Sequence, residues 1–287
     1  MNEGGHVAYD TLEDFFGDIV GKARRGLGLS ESSLADATGL SPGDIGLIES
    51  YELTPDEDRI LALACTLQLD GKKLVGIAKG WTPAHGNSPH DDVRLSVERT
   101  ILDAGMEVNA YALKCKTTGE GAIVDAGGQA ERILALADRM RLELTHVLLT
   151  HGHGDHVGAL AEVVAATGAR VCCCERDFGL LGNLKGLVTD PVDDGWHTKV
   201  GRIDVDAVSL PGHTAGGIGY GAGGVFFSGD ALFAGSMGGA TGPAYAGQIR
   251  AVTDKALSRD EKTRVFPGHG PITSIGEELA NNPFFAR

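Results

Sequence analysis

The segment Thr150-His151-Gly152-His153-Gly154-Asp155-His156 follows the apolar run Val147-Leu148-Leu149 and places three imidazoles and a carboxylate within six residues. A strand that ends in such a loop delivers several side chains to one spot, and Gly152 and Gly154 give the backbone room to turn between them. Neutral imidazole nitrogen and carboxylate oxygen are the donors that first-row divalent cations prefer. One histidine in a turn is ordinarily a solvated or hydrogen-bonded side chain. Four potential ligands in so short a loop point to a metal instead. The helical zinc signature H-E-x-x-H is absent, so the site is expected to be built from loops.

Three further candidates lie downstream. His213 sits in Leu210-Pro211-Gly212-His213-Thr214, Asp230 ends Val225-Phe226-Phe227-Ser228-Gly229-Asp230, and His269 sits in Val265-Phe266-Pro267-Gly268-His269-Gly270. Each repeats one grammar: an apolar strand, a glycine, then a polar residue where the strand stops. With His151, His153, Asp155 and His156 they make a seven-ligand set, which suits two metals sharing a bridging carboxylate.

In order and spacing, His-x-His-x-Asp-His, Gly-His-Thr, Ser-Gly-Asp and Pro-Gly-His-Gly resemble the metallo-β-lactamase superfamily. Gly229-Asp230-Ala231-Leu232-Phe233-Ala234-Gly235-Ser236 and Pro267-Gly268-His269-Gly270-Pro271, followed by Thr273, Glu277 and Asn282-Pro283-Phe284, are similar to the tail of short glyoxalase II-like hydrolases. The resemblance runs over residues 91–287. It implies an αββα sandwich of mixed α/β (α+β) class. It also implies that His151, His153 and His213 hold one metal, that Asp155, His156 and His269 hold the other, and that Asp230 bridges them. The implied cofactors are two divalent ions, zinc first, with iron or manganese as alternatives.

The local pattern agrees. Strands are expected at 93–101, 108–116, 121–125, 147–150 and 169–174, and helices at 129–141, 157–167 and 248–257. In the first of these helices Ile133, Leu134, Leu136 and Ala137 form the core-facing stripe. Residues 1–85 read as a separate helical unit, 86–91 as a linker and 92–287 as the catalytic domain. Ser30 with Ser33, Ser41-Pro42 and Thr54-Pro55-Asp56-Glu57 are helix-start signals. The stretch from Gly28-Leu29-Ser30 to Ile48-Glu49 resembles the helix-turn-helix of phage-repressor-like DNA-binding domains. Its recognition segment, 42–50, holds Asp44 and Glu49 but no Arg, Lys, Asn or Gln, so it offers little to base edges or phosphates. It reads as a retained scaffold, used for homodimerisation or for lining the active site, in preference to DNA binding. Trp81 and Phe15-Phe16 are expected in the core.

The formal charge is −14, with 7 Lys/Arg against 14 Asp/Glu in residues 1–90 and 18 against 25 in the rest. Such a field repels phosphate backbones, so a nucleic-acid partner is not expected and a small-molecule substrate is. No apolar run reaches the length of a membrane span, and Met1-Asn2-Glu3-Gly4-Gly5-His6 has no basic leader pattern; the expectation is a cytoplasmic protein. Cys172-Cys173-Cys174 reads as buried inert thiols and Cys65 as core, with no Cys-x-x-Cys pair present.

The chemistry follows from the ligand set. Two cations a few Å apart hold a hydroxide at neutral pH, because coordination lowers the pKa of water to ~7. Asp155 is the expected catalytic residue, ligating a metal and orienting that hydroxide. A thiolate is a weakly basic leaving group and needs no protein acid, which favours thioesters or lactones over amides. After Gly235-Ser236-Met237-Gly238 short glyoxalase II-like proteins usually carry an arginine; here Gly239-Ala240 stands, which removes an anion anchor. Asp125 is either an ordinary turn residue or a hydrogen-bond partner of a ligating imidazole. Tyr245 reads equally as a pocket or a core residue. His146 and His197 are expected to be structural, and His6, His85 and His90 are given no role. Two alternatives stand beside the dinuclear hydrolase: a mononuclear iron persulfide dioxygenase, and a DNA-binding regulator with a metal-binding sensor domain.

Overall fold

Residues 11–84 and 88–285 are described by a computed structural model. His6, His85 and positions 86–87 of the expected linker lie outside the described residues. Five short helices come first: α1 (Phe16–Gly26), α2 (Glu31–Thr38), α3 (Pro42–Glu49), α4 (Glu57–Thr66) and α5 (Gly71–Ala78). The start signals act as expected. Ser30 Oγ accepts the Ser33 N–H at 3.0 Å, Ser41 and Asp44 form a reciprocal box, and Asp56 caps α4.

Two sheets follow. The first joins β1 (His90–Asp91), β2 (Leu95–Asp103), β3 (Glu107–Cys115), β4 (Glu120–Val124), β5 (Glu143–Leu148), β6 (Arg170–Cys173) and β7 (Asp190–Pro191), in that spatial order. The second joins β8 (His197–Val200), β9 (Ile203–Ser209), β10 (Ile218–Ala222), β11 (Val225–Gly229), β12 (Arg264–Pro267) and β13 (Thr273–Ser274), with β13 and β8 at its edges. The remaining helices are α6 (Ala130–Arg139), α7 (Gly154–Val157), α8 (Leu160–Thr167), α9 (Phe178–Leu181), α10 (Pro243–Ala251) and α11 (Ile275–Asn281).

Strand alternation sorts the apolar residues into layers, because successive side chains leave a strand on opposite faces. Val147 and Leu149 join Ile133, Leu136, Leu160 and Val163 beneath α6 and α8, while Leu148 faces Tyr220, Phe227 and Phe266 between the sheets. Phe227 enters that inter-sheet core and its neighbour Phe226 enters the layer beyond. The mixed α/β sandwich of two sheets and flanking helices is as expected. Each fully buried side chain of this size contributes ~1.5–3 kcal/mol relative to exposure.

The N-terminal helices share the outermost core layer. Ile19, Val20, Leu63 and Leu74 belong to one apolar cluster with Phe226, Leu232, Met237, Tyr245 and Phe284. Gly26 of α1 meets Tyr245 of α10 face to face; a Cβ there would sit 2.3 Å from the ring, so only glycine allows this approach. The Asp70 N–H donates to Pro283 O at 2.8 Å and Lys73 Nζ to Phe285 O at 2.5 Å, tying the helices to the chain's last described turn.

Several local expectations need correction. Cys65 is exposed on α4, because its helical position faces away from Leu63 and Ala64. Phe15 is 47% exposed and stacks edge-on with Tyr51, whereas Phe16 is buried. The helix expected at 157–167 is α8, which starts only at Leu160; Val157 closes the separate turn α7, and the Ala159 N–H is given to Ala126 O at 2.8 Å. The helix expected at 248–257 starts earlier, with Pro243 in its first turn, and ends in a π turn at Val252–Ala256. Residues 90–91, placed in the linker, pair with β2. Cys172, Cys173 and Cys174 are buried, and burial pushes the Cys172 and Cys173 thiols up to about 12, so they are inert as expected.

Candidate metal centre

The seven residues singled out in the sequence emerge from loops at one end of the sandwich. β4 and β5 run parallel, as do β11 and β12, so the carboxyl ends within each pair open on one side, and the side chains that follow β5, β11 and β12 meet there. Past β5 come His151, His153, Asp155 and His156; past β9, His213; past β11, Asp230; past β12, His269.

The structure groups their donor atoms as His151, His153 and His213, as Asp155, His156 and His269, and as His151, His156 and Asp230. In the first group His153 Nδ1 lies 3.1 Å from His151 Nε2 and 3.0 Å from His213 Nε2. In the second, His269 Nε2 lies 3.3 Å from His156 Nε2 and 3.2 Å from Asp155 Oδ2. Asp230 stands between: its Oδ2 is 3.4 Å from His213 Nε2 and 3.5 Å from His269 Nε2, and its Oδ1 is 3.4 Å from His156 Nε2.

These spacings fit a cation. Donors bound tetrahedrally at 2.0–2.1 Å stand ~3.3 Å apart, and the separations given for the first two groups run from 3.0 to 3.5 Å. Asp230 Oδ1 is buried and accepts no hydrogen bond from the described residues, a costly state for a carboxylate oxygen unless a cation sits against it. Gly268 leaves room for that oxygen, since a Cβ there would be 2.1 Å away.

Electrostatics lead the same way. Burial and the neighbouring His156 hold His151 well below the ordinary imidazole value, leaving it neutral and able to ligate. Burial opposes ionisation of Asp230, yet His156 and His151 hold its carboxyl well below the usual range. Asp155 behaves likewise: burial pushes it up, but its hydrogen bond to His269 and the charge of His156 bring it to about 2. Burial pulls His156 and His269 down, and the surrounding carboxylates outweigh it, raising both. A pocket that draws protons this strongly also draws divalent cations.

A second ring of hydrogen bonds orients these side chains, and most of it escaped the sequence reading. Asp125 does what one of its two readings proposed: Oδ2 lies 2.9 Å from His156 Nδ1. It also accepts the Thr150 N–H and hydroxyl, both at 2.8 Å. His269 Nδ1 faces Glu107 O at 2.6 Å and His213 Nδ1 faces Gly239 O at 3.1 Å. Asp177 was missed. Its carboxylate takes the Gly152 N–H, the Gly216 N–H and the Thr214 hydroxyl, pinning the His151 loop to the His213 loop. Asn109 was missed too; its amide donates to Pro267 O and Gly270 O, fixing the His269 loop. Neither residue sits in a recognisable pattern, so only spatial neighbours reveal its role. Glu13, just before α1, packs on Gly270 and feels the charges of His269 and Asp230, with burial raising its carboxyl. Tyr245 is core, and burial pushes its hydroxyl up to about 12. His90, His146 and His197 belong to none of these groups among the described residues.

The family model of the metallo-beta-lactamase superfamily matches residues 103–269, a stretch that contains every residue of the three groups. The chain belongs to that superfamily. Among superfamily relatives it is similar to hydroxyacylglutathione hydrolase GloC of Haemophilus influenzae, with 35% identity over 200 residues covering 62% of this chain and 94% of the relative. Among solved structures it is similar to BLEG-1 B3 metallo-beta-lactamase, with TM-score 0.60 and 28% identity over 67% of this chain and all of the other. It is likewise similar to TTHA1623 in a di-iron-bound form, with TM-score 0.55 and 32% identity over 66% of this chain and all of the other. Helices α1–α5 lie outside the superfamily match. No helix among the described residues is long and apolar enough to cross a membrane.

Proposed function

We propose that the protein is a dinuclear metal-dependent hydrolase of a small thioester, with lactones or esters of similar size as the nearest substitutes. The observation that carries this reading is Asp230, whose two oxygens reach His213 of the first group and His156 and His269 of the second. Two divalent cations bound there would lower the pKa of a water between them to ~7 and polarise an acyl carbonyl. His151, His153 and His213 are the proposed holders of one cation, and Asp155, His156 and His269 of the other. Asp155, partly exposed and ionised, is placed to accept a hydrogen bond from the attacking water and so orient it. In the reaction the water oxygen adds to the acyl carbon, the C–S bond breaks, and a carboxylate and a thiol leave. A thioester suits this centre because the departing thiolate needs no protein acid, and GloC is named for hydrolysing a thioester of this kind.

The helices α1–α5 fit the role of a scaffold for the active site better than that of a DNA reader. The link between α2 and α3 is a three-residue turn beginning at Gly39 in the left-handed conformation, the form of a helix-turn-helix. Yet in α3 Ile45 and Ile48 are buried, Asp44 is spent on its cap and Glu49 is bound by Arg24. Homodimerisation through these helices, and residence in the cytoplasm, stay as proposals.

Metal content of protein purified without added metal, paired with a thioester and lactone panel, tests the reading. Two zinc, manganese or iron ions per chain with thioester turnover support it. A single iron with oxygen consumed alongside glutathione persulfide replaces it with the dioxygenase, and a metal-free chain removes it.

A further inference from the structure

An open pocket of about 320 Å³ lies directly beside the centre, with His213 in its wall. Its other catalytic-domain lining is poor in polar side chains: Gly212, Gly239, Ala240 and Ala244 have none, and Thr241 offers one hydroxyl. The charged groups come from α1, which contributes Lys22 and Arg25. The sequence of α1 holds three cations, Lys22, Arg24 and Arg25, against one acid, Asp18, in a chain whose net charge is −14.

The three cations have different duties. Lys22 is fully engaged: its ammonium pairs with Asp14, donates to Met237 O at 3.0 Å and lies 5.1 Å above the Phe233 ring. It fastens α1 to the loop that leads to Gly239, the carbonyl partner of His213. Arg24 forms a two-pronged bond with Glu49, at 2.5 and 2.8 Å. Among the described residues Arg25 shares only Glu49, at 3.2 Å, and its side chain is 53% exposed. Such a contact holds a guanidinium weakly, so most of its planar set of donors is available to an anion.

We infer that Arg25 is the anion-binding residue of the active site, and that the substrate carries a carboxylate on the arm reaching past His213 toward α1. This rests on the proposed hydrolase reading. It also explains why Gly239-Ala240 needs no cation of its own: the charge arrives from a helix outside the superfamily match.

Two readouts test it, using the full metal-loaded chain. The first is calorimetric binding of 3-mercaptopropionate and of succinate. The second is kcat/KM for two matched pairs, the acetyl thioester of 3-mercaptopropionate against that of its methyl ester, and the succinyl thioester of 2-mercaptoethanol against its methyl ester. The first pair places the carboxylate on the thiol arm, the second on the acyl arm. For one pair the wild type prefers the acid by about 10- to 100-fold. Arg25→Met collapses that ratio through KM rather than kcat, Arg25→Lys restores part of it, and Arg25→Glu inverts it. Arg25 is half-exposed, so these variants keep the wild-type melting temperature. If the wild type turns over neither pair but binds one acid in an Arg25-dependent way, the hydrolase reading falls and the subsite stands. Binding of both acids that is indifferent to Arg25 overturns the subsite, whatever the turnover.

Discussion

Asp125 and His156 form a buried pair, with Oδ2 of the carboxylate 2.9 Å from Nδ1 of the imidazole. The contact fixes which ring nitrogen carries the proton and turns Nε2 toward His269 and Asp230. Asp125 sits at the end of β4 with φ +60°, a left-handed conformation few non-glycine residues hold without compensation. Its hydrogen bonds to Thr150 and His156 supply that compensation.

Replacing Asp125 by Asn therefore weakens metal binding without removing a ligand. We expect about a 10- to 100-fold loss of affinity for the cation that His156 is proposed to hold. Metal titration against a chelating dye checks this; unchanged affinity would show that the pair has no part in holding the ring.

Asp230→Asn acts more severely, because one oxygen becomes a neutral amide that cannot serve both groups of histidines. Metal content should fall below two per chain. Turnover should fall by on the order of 10²–10³-fold, since several kcal/mol of charge stabilisation depend on the paired site. Retention of two metals and wild-type turnover would contradict the bridging role.

Gly268→Ala probes the space around the same carboxylate. The added methyl would meet Asp230 Oδ1 at 2.1 Å and His156 Cε1 at 2.7 Å. Displacing either costs about 1–3 kcal/mol and spoils the donor spacing. Denaturant unfolding and metal titration should both register the change; a variant equal to wild type in both would mean that the loop yields freely.

Glu278 supplies a pH signature away from the centre. It is buried on α11 and accepts hydrogen bonds from Gly235 N, Thr273 Oγ1 and Asn282 Nδ2, yet burial dominates and raises it from 4.5 to about 7. Between those values the unfolded chain ionises while the fold keeps its proton, so stability falls as pH rises from about 4.5 to 7 and is flat above. The drop is about 3 kcal/mol at most. Comparing metal-loaded wild type with Glu278→Gln cancels metal-linked effects. The variant should gain on wild type by about 2.5 kcal/mol between pH 5 and pH 8, and parallel curves would refute it.

Much of the centre was legible before any fold was known. The ligand types, their order and their position after apolar runs are local features, and local chemistry is what a chain displays directly. Asp177 and Asn109 were not legible, because an isolated Asp or Asn gains meaning only from the loop it pins. Cys65 and Phe15 misled for a related reason: an apolar residue on a short helix is buried or exposed according to which face the rest of the molecule covers.

By itself the sequence determined the donors, since imidazoles and carboxylates set after strand ends can do little else in such density. Only the tertiary structure decided that they meet. Parallel pairing of β4 with β5 and of β11 with β12 opens the strand ends of each pair on one side, and packing of the two sheets brings His156 and His269, more than a hundred residues apart, within 3.3 Å. It also decided that α1 walls the pocket, because Gly26 can lie flat on Tyr245 while Lys22 grips the Met237 carbonyl. Contacts over such separations depend on packing of whole layers, which no stretch of residues carries alone.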